Sequence, residues 1–217
     1  MAVLTFSLKY LMCALNEKGK IPVLKQTEVI TCLVAGAILE LLYDGYVALD
    51  EKNNIGIVKE ADAKISHLQP LFHLIQRSKK KSIKSIAEQY VFSLNNKHLN
   101  ELVDSIGNSL ADGNFVLARE GQGFFKKKTY YIPNEDEVLK IVEKIRAEFL
   151  EEGTLNEETV VLGALLHKSG LIKKYFSKFE AAKLKRRLAE IKNSGASSLI
   201  IDMLRHIEAI IVVIAIT

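Results

Sequence analysis

The 217-residue chain contains no tryptophan and only three prolines, two cysteines and 12 glycines. So little proline and glycine excludes collagen-like, linker-rich and low-complexity architectures. Two cysteines cannot build the disulfide framework of a small secreted domain, and Cys13 and Cys32 form no Cys-x-x-Cys pair. Both sit in apolar segments and read as reduced core residues of a cytosolic protein. Met1-Ala2-Val3-Leu4-Thr5 places no basic residue ahead of the first apolar run, so no secretory leader is expected. Long apolar runs are also missing. Near the C-terminus, residues 209–216 are apolar without interruption, with Asp202, Arg205, His206 and Glu208 upstream. A membrane-spanning helix needs about 20 apolar residues, so a buried terminal helix is expected there and no transmembrane segment.

Grouped chemistry is absent as well. His67, His73, His98, His167 and His206 are scattered, with no His-Glu-x-x-His pattern and no Cys/His cluster, so no zinc site is expected. There is no Walker A motif. Gly121-Gln122-Gly123 leads from one strand into another, whereas dinucleotide binding requires a helix N-terminus at that point; it reads as a hairpin turn. Glu151-Glu152 and Glu157-Glu158 flank helix ends and suit solvent or a helix dipole better than acid–base work. No set of residues looks catalytic, and neither an enzyme nor a bound cofactor is expected.

What is present is ordinary for a globular chain: 48% hydrophobic and 26% charged residues. A chain of this length buries roughly 70% of its unfolded surface as one unit. With no linker and no repeat, a single domain over 1–217 is expected. Apolar periodicity predicts a mainly α-helical fold, a helical bundle surrounded by amphipathic helices, with two small β-hairpins. Helices are predicted over 4–15 and from Thr27 as cap to about Asp44. The apolar positions Ile30, Leu33, Val34, Ala37, Ile38, Leu41 and Leu42 make the latter central to the core. A hairpin over 46–58 follows, then helices over 65–76 (with Pro70 in its first turns), 82–92 and from an Asn96 cap to Asp112. A second hairpin is expected around 121–123. Further helices are predicted from an Asn134 cap to a stop at Gly153, over 156–168, from Ser177 to Asn193 and over 197–216. Asn134/Glu137 and Ser177/Glu180 have capping-box spacing.

The net charge of +4 is too mild to dictate a partner, but its distribution is blocky. Residues 77–84 carry five bases and no acid, 173–192 carry eight bases against Glu180 and Glu190, and Lys126-Lys127-Lys128 marks the second hairpin. Residues 134–158 carry nine acids and three bases. Such runs read either as solvated faces or as patches for anionic membranes or phosphates. The candidate contacts are Lys79, Lys80, Lys81, Lys84, Lys126, Lys127, Lys128, Lys185, Arg186 and Arg187. Phe124-Phe125 beside Lys126 could either pack the hairpin or insert into a membrane.

Three stretches in order resemble the Golgi phosphoprotein 3 family. They are Leu4-Thr5 with the turn Asn16-Glu17-Lys18-Gly19-Lys20; Ala35-Gly36-Ala37-Ile38-Leu39-Glu40-Leu41 with Gly45-Tyr46-Val47; and Leu162-Gly163-Ala164-Leu165-Leu166 with Ser169-Gly170-Leu171-Ile172 and Phe176. The resemblance implies a mostly helical single domain and a non-enzymatic peripheral membrane protein. Eukaryotic members bind phosphatidylinositol 4-phosphate and act as adaptors for glycosyltransferase tails. The residues of the family headgroup pocket match poorly. Lys25 stands near the pocket Trp, Val34 and Tyr46 replace arginines, and Asn100, Val103 and Ser105 fall where the mid-chain helix carries its arginines. Leu8 and Lys9 stand near an acidic pair.

The expected function is therefore cytoplasmic, with peripheral association to an anionic lipid or a protein partner and the oligomeric state open. The alternative is a winged-helix nucleic-acid binder, since twice, over 28–58 and over 96–132, a helix ends at Gly and runs into a hairpin. Neither helix carries the basic footprint that groove reading needs, so nucleic acid is the weaker expectation.

Overall fold

The computed structural model describes residues 4–93, 95–122, 127–151, 155–193 and 198–215. These form a mainly helical fold, 67% helix, with two antiparallel two-stranded sheets. The order is α1 (Phe6–Ala14), α2 (Gln26–Tyr43), β1 (Val47–Leu49), β2 (Ile55–Ile57), α3 (Gln69–Arg77), α4 (Ile83–Val91), α5 (Lys97–Asp112), β3 (Val116–Gln122), β4 (Lys127–Pro133), α6 (Glu135–Leu150), α7 (Glu157–Lys168), α8 (Ile172–Tyr175), α9 (Lys178–Asn193) and α10 (Ser198–Ala215).

The centre is α2, buried from Val29 to Leu41 without a break and packed by α1, α4, α7 and α10. A helix apolar all round has to be enclosed, and α7, buried from Thr159 to Leu166, is the other enclosed helix. With the turn before it, α2 is long and apolar enough to cross a membrane by length and composition, yet most of it lies inside the fold. The flanking helices α3, α4, α5 and α6 are amphipathic. On α5, Leu99, Leu102, Ile106 and Leu110 face inward. The C-terminal helix α10 buries Ile200, Met203, Leu204, Ile207 and Ile210 along one side, as expected of a terminal core helix.

Several element starts differ from the sequence expectation. Thr27 does not cap α2. A 3-10 turn, Val23–Lys25, feeds the helix two residues earlier. Its carbonyls take the helix's first N–H groups, so no side-chain cap is needed. The helix predicted over 65–76 is split into a 3-10 segment, Ala63–Leu68, and α3. Pro70 in the first turn of α3 lacks an N–H, and its ring excludes the carbonyl of residue 66 from an α-helical position. Asn96 takes a left-handed conformation (φ 49°) without capping, and Asn95 Oδ1 accepts from Lys97 N instead, at 3.1 Å. Asn134 caps α6 by accepting from Asp136 N at 3.0 Å, but Glu137 pairs with Lys140 rather than closing the box. The Ser177/Glu180 box forms fully. Ser177 N donates to Glu180 Oε2 at 2.7 Å and Glu180 N to Ser177 Oγ at 3.3 Å.

Both predicted hairpins form, with pairs running from Val47↔Ile57 to Leu49↔Ile55 and from Val116↔Pro133 to Gln122↔Lys127, but Gly121 and Gln122, read as turn residues, are strand residues paired with Lys128 and Lys127. The first is sewn to the loop before α4, where Ile55 N donates to Lys81 O at 2.7 Å and Ile83 N to Asn53 O at 3.1 Å.

Candidate functional site

A buried carboxylate–imidazole pair lies at the base of α1. Glu40 and His67 are both almost fully enclosed, and His67 Nε2 stands 2.6 Å from Glu40 Oε1. The other carboxylate oxygen accepts from Ser7 N at 3.2 Å, so a side chain from α2 caps the otherwise uncapped first turn of α1. Thr5 Oγ1 approaches the same Nε2 at 3.4 Å. A hydrolytic triad needs nucleophile and carboxylate on opposite ring nitrogens; here both meet Nε2. This is a structural pin. Burial pushes the Cys13 and Cys32 thiols up to about 12, which keeps them protonated and inert. Among the described residues no group of three or more His, Cys, Asp or Glu could hold a metal.

The sequence-predicted basic residues fall in three separate places. Lys79 and Lys80 are exposed in the α3–α4 loop, Lys81 is half-buried against the first hairpin, and Lys84 lies 3.9 Å from Glu88. On the second hairpin Lys127 pairs with Glu120 at 3.3 Å and Lys128 donates to Asn100 Oδ1 at 3.2 Å. Lys126, like Gly123, Phe124 and Phe125, lies outside the described residues. On α9, Arg186 pairs with Glu190 at 3.4 Å, Arg187 is half-buried and Lys185 is exposed. The three places lie on different elements: the α3–α4 loop with the start of α4, the second hairpin, and α9.

What Lys185 joins instead is a cleft of about 440 Å³ with Lys25, Lys168 and Lys173, on α9, the turn before α2, the end of α7 and α8. Gly170, at φ 69°, ends α7 and turns its carbonyl to Lys25 Nζ, 2.6 Å away. The negative end of the α7 dipole favours positive charge at this end of the helix. Lys168 pairs with Glu208 at 3.4 Å. Lys173 and Lys185 are exposed and make no ion pair among the described residues, and Glu28 is the cleft's own carboxylate. His167 forms a wall shared with a smaller cavity of about 190 Å³ that reaches α10. Its Nδ1 is buried without a partner. Burial first, then Lys168 and Lys185, holds its imidazole below the usual histidine range.

On another part of the surface, an apolar cavity of about 500 Å³ opens between the end of α1 and α6, floored by Met12, Leu15, Val138 and Val142. Its two cations are already engaged. Arg146 is bound to Glu143, Glu180 and Tyr175 O, and Lys174 Nζ donates to Leu15 O at 3.0 Å.

Sequence reasoning singled out Lys185 and counted Lys173 within a basic block, but it did not join Lys25 or Lys168 to them. Nothing along the chain signals that convergence. The other positions matched to the family pocket hold up the fold. Val34 is fully buried, Tyr46 donates to Asp62 Oδ1 at 2.5 Å, and Ser105 donates to Ser66 O at 3.2 Å. Leu8 is core, and Lys9 pairs with Glu158 at 2.7 Å. The winged-helix alternative finds no support. One of its two helices is the buried α2, and α5 offers only Lys97, set 3.8 Å from Glu101.

No curated protein matches this chain. The family model of Golgi phosphoprotein 3 (GPP34) matches residues 9–209. With that match over nearly the whole chain, and a mainly helical fold bearing two small hairpins, the protein belongs to the Golgi phosphoprotein 3 family.

Proposed function

We propose that this protein is a non-enzymatic peripheral membrane protein that binds the phosphates of anionic lipids at the lysine cleft, on the cytoplasmic side of a membrane. The observation that carries this reading is the convergence of Lys173 and Lys185, both exposed and without ion-pair partners among the described residues, beside Lys25 and Lys168. Phosphatidylinositol 4-phosphate, the ligand of eukaryotic relatives, is one such lipid. The arginine forks that favour bidentate phosphate recognition are missing from the cleft, so binding is governed by charge more than by headgroup identity.

Co-sedimentation with neutral, anionic and phosphatidylinositol 4-phosphate vesicles tests this. Anionic vesicles pellet the protein, about 0.5 M salt releases it, and duplex DNA does not compete. Equal affinity for neutral and anionic vesicles refutes the reading. Each surface lysine contributes about 1 kcal/mol toward an anionic leaflet, so Lys173→Gln with Lys185→Gln weakens binding about 30-fold. Lys79→Gln with Lys80→Gln, remote from the cleft, weakens it less than about 3-fold. The converse ranking moves the contact to the α3–α4 loop.

Binding also depends on pH. A phosphate beside Lys168 and Lys185 offsets their charge and raises the His167 pKa from its lowered value. Anion binding and proton uptake therefore favour each other. Because the free imidazole titrates below the ordinary histidine value of about 6.5, affinity rises as pH falls from neutral to below that value. His167→Asn flattens that rise while leaving the affinity at pH 8 unchanged.

A further inference from the structure

The three most exposed large apolar side chains among the described residues are Leu24 at 97%, Val23 at 83% and Phe179 at 78%. None of the three lines the lysine cleft itself, but each lies close along the chain to a residue that does. Val23 and Leu24 immediately precede Lys25, a cleft residue. Phe179 lies three residues before Ala182, which also lines the cleft, and residues three apart on a helix share a face.

We infer that Leu24, Val23 and Phe179 are membrane wedges that enter the apolar edge of an anionic bilayer while the cleft lysines hold its phosphates. This rests on the membrane reading above and adds an apolar insertion to it.

Neither the turn that carries Val23 and Leu24 nor the Phe179 side chain is held in place by its own burial. The Val23–Lys25 turn contains no buried residue. It is pinned at its end, where Lys25 Nζ donates to Gly170 O at 2.6 Å, and Pro22 enters it with φ −59°. Phe179 sits in the first turn of α9, behind the fully formed Ser177/Glu180 box, with Glu180 also held by Arg146 at 2.8 Å. The fold thus fixes two apolar tips that gain nothing from folding. An exposed apolar side chain rimmed by lysines matches an interface whose upper layer is phosphate and whose lower layer is acyl chain. The charge selects the occupant. Beside the wedges stand Lys173, Lys178 and Lys185 with Glu28 as the cleft's own carboxylate, a poor match to a basic partner and a good one to an anionic leaflet.

Because the chain contains no tryptophan, Leu24→Trp and Phe179→Trp each give a single local reporter. Leu139→Trp, on α6 at the apolar cavity, is the control, being exposed (55%) and away from the cleft. The probe is a phosphatidylcholine vesicle containing phosphatidylserine, with and without brominated acyl chains. Emission at 24 and 179 shifts to the blue and is quenched by bromine, whereas emission at 139 is unchanged. Leu24→Ser with Phe179→Ser weakens vesicle binding about tenfold or more at an unchanged melting temperature. Binding without blue shift or quenching at 24 and 179 overturns the insertion but leaves charge-driven binding standing. No binding to the vesicles overturns both. A lipid-free dimer that Leu24→Ser converts to monomer assigns the face to a second copy and also overturns the insertion.

Discussion

Replacing His67 with alanine lowers the folding stability by about 3–5 kcal/mol, the cost of leaving a buried charged or strongly polar group without its partner. Glu40 and His67 are 3% and 4% exposed and 2.6 Å apart, so bulk solvent does not reach the carboxylate in the native fold. The same carboxylate holds the first turn of α1 through Ser7 N. The loss therefore has a local signature as well as a global one: faster amide exchange at the start of α1 than at α7. Glu40→Gln costs less than His67→Ala, because an amide oxygen still accepts from Ser7 N. Urea titration and hydrogen exchange check both. A loss below about 1 kcal/mol in His67→Ala, typical of a single net hydrogen bond, means that the carboxylate finds another partner and that the pin is not what secures α1.

Much of the fold was legible because its signals are local. The unbroken apolar face of α2, the stripe on α5 and the Ser177/Glu180 box need only neighbours within a few residues. Gly45 and Gly170 end their helices at φ 73° and 69° as the sequence suggested. What escaped reading is set by contacts distant in the chain. The short helix α8 exists where Lys174 and Tyr175 donate to the carbonyls at the end of α1, about 160 residues away. The start of α2 is secured by Lys25 on Gly170, 145 residues downstream. Runs of charge show how dense lysines are along the chain. They do not show where lysines from four elements converge, which is why, among the described candidate contacts, only Lys185 lines the cleft.

The stretches that carry the family resemblance are explained by packing more than by ligand chemistry. Glu40 is the acceptor for α1, Gly170 frees a carbonyl for Lys25, and Gly163 makes room for a ring. A pattern of this kind persists wherever the fold persists. The headgroup positions can change independently, and here Val34, Tyr46 and Ser105 have been absorbed into the structure. Family membership and ligand identity are separate inferences for this chain.

Gly163 supports a second large effect, one with a change of sign. Phe149 of α6 is fully buried, and a Cβ added at Gly163 of α7 would stand 2.7 Å and 2.9 Å from two of its ring atoms. Phe149→Ala removes a core ring and costs about 3–5 kcal/mol. In the natural background Gly163→Ala forces that ring aside, at about 1–3 kcal/mol for an overpacked core. This outweighs the helix-propensity gain of about 1 kcal/mol from alanine in place of glycine. In the Phe149→Ala background the clash is gone. There Gly163→Ala gains the propensity term and fills part of the cavity, so the same substitution stabilises by about 1 kcal/mol. Urea denaturation of the four proteins gives the coupling directly. A Gly163→Ala effect of the same sign in both backgrounds would mean that α6 and α7 shift apart to accept the methyl group, and that the ring does not set their separation.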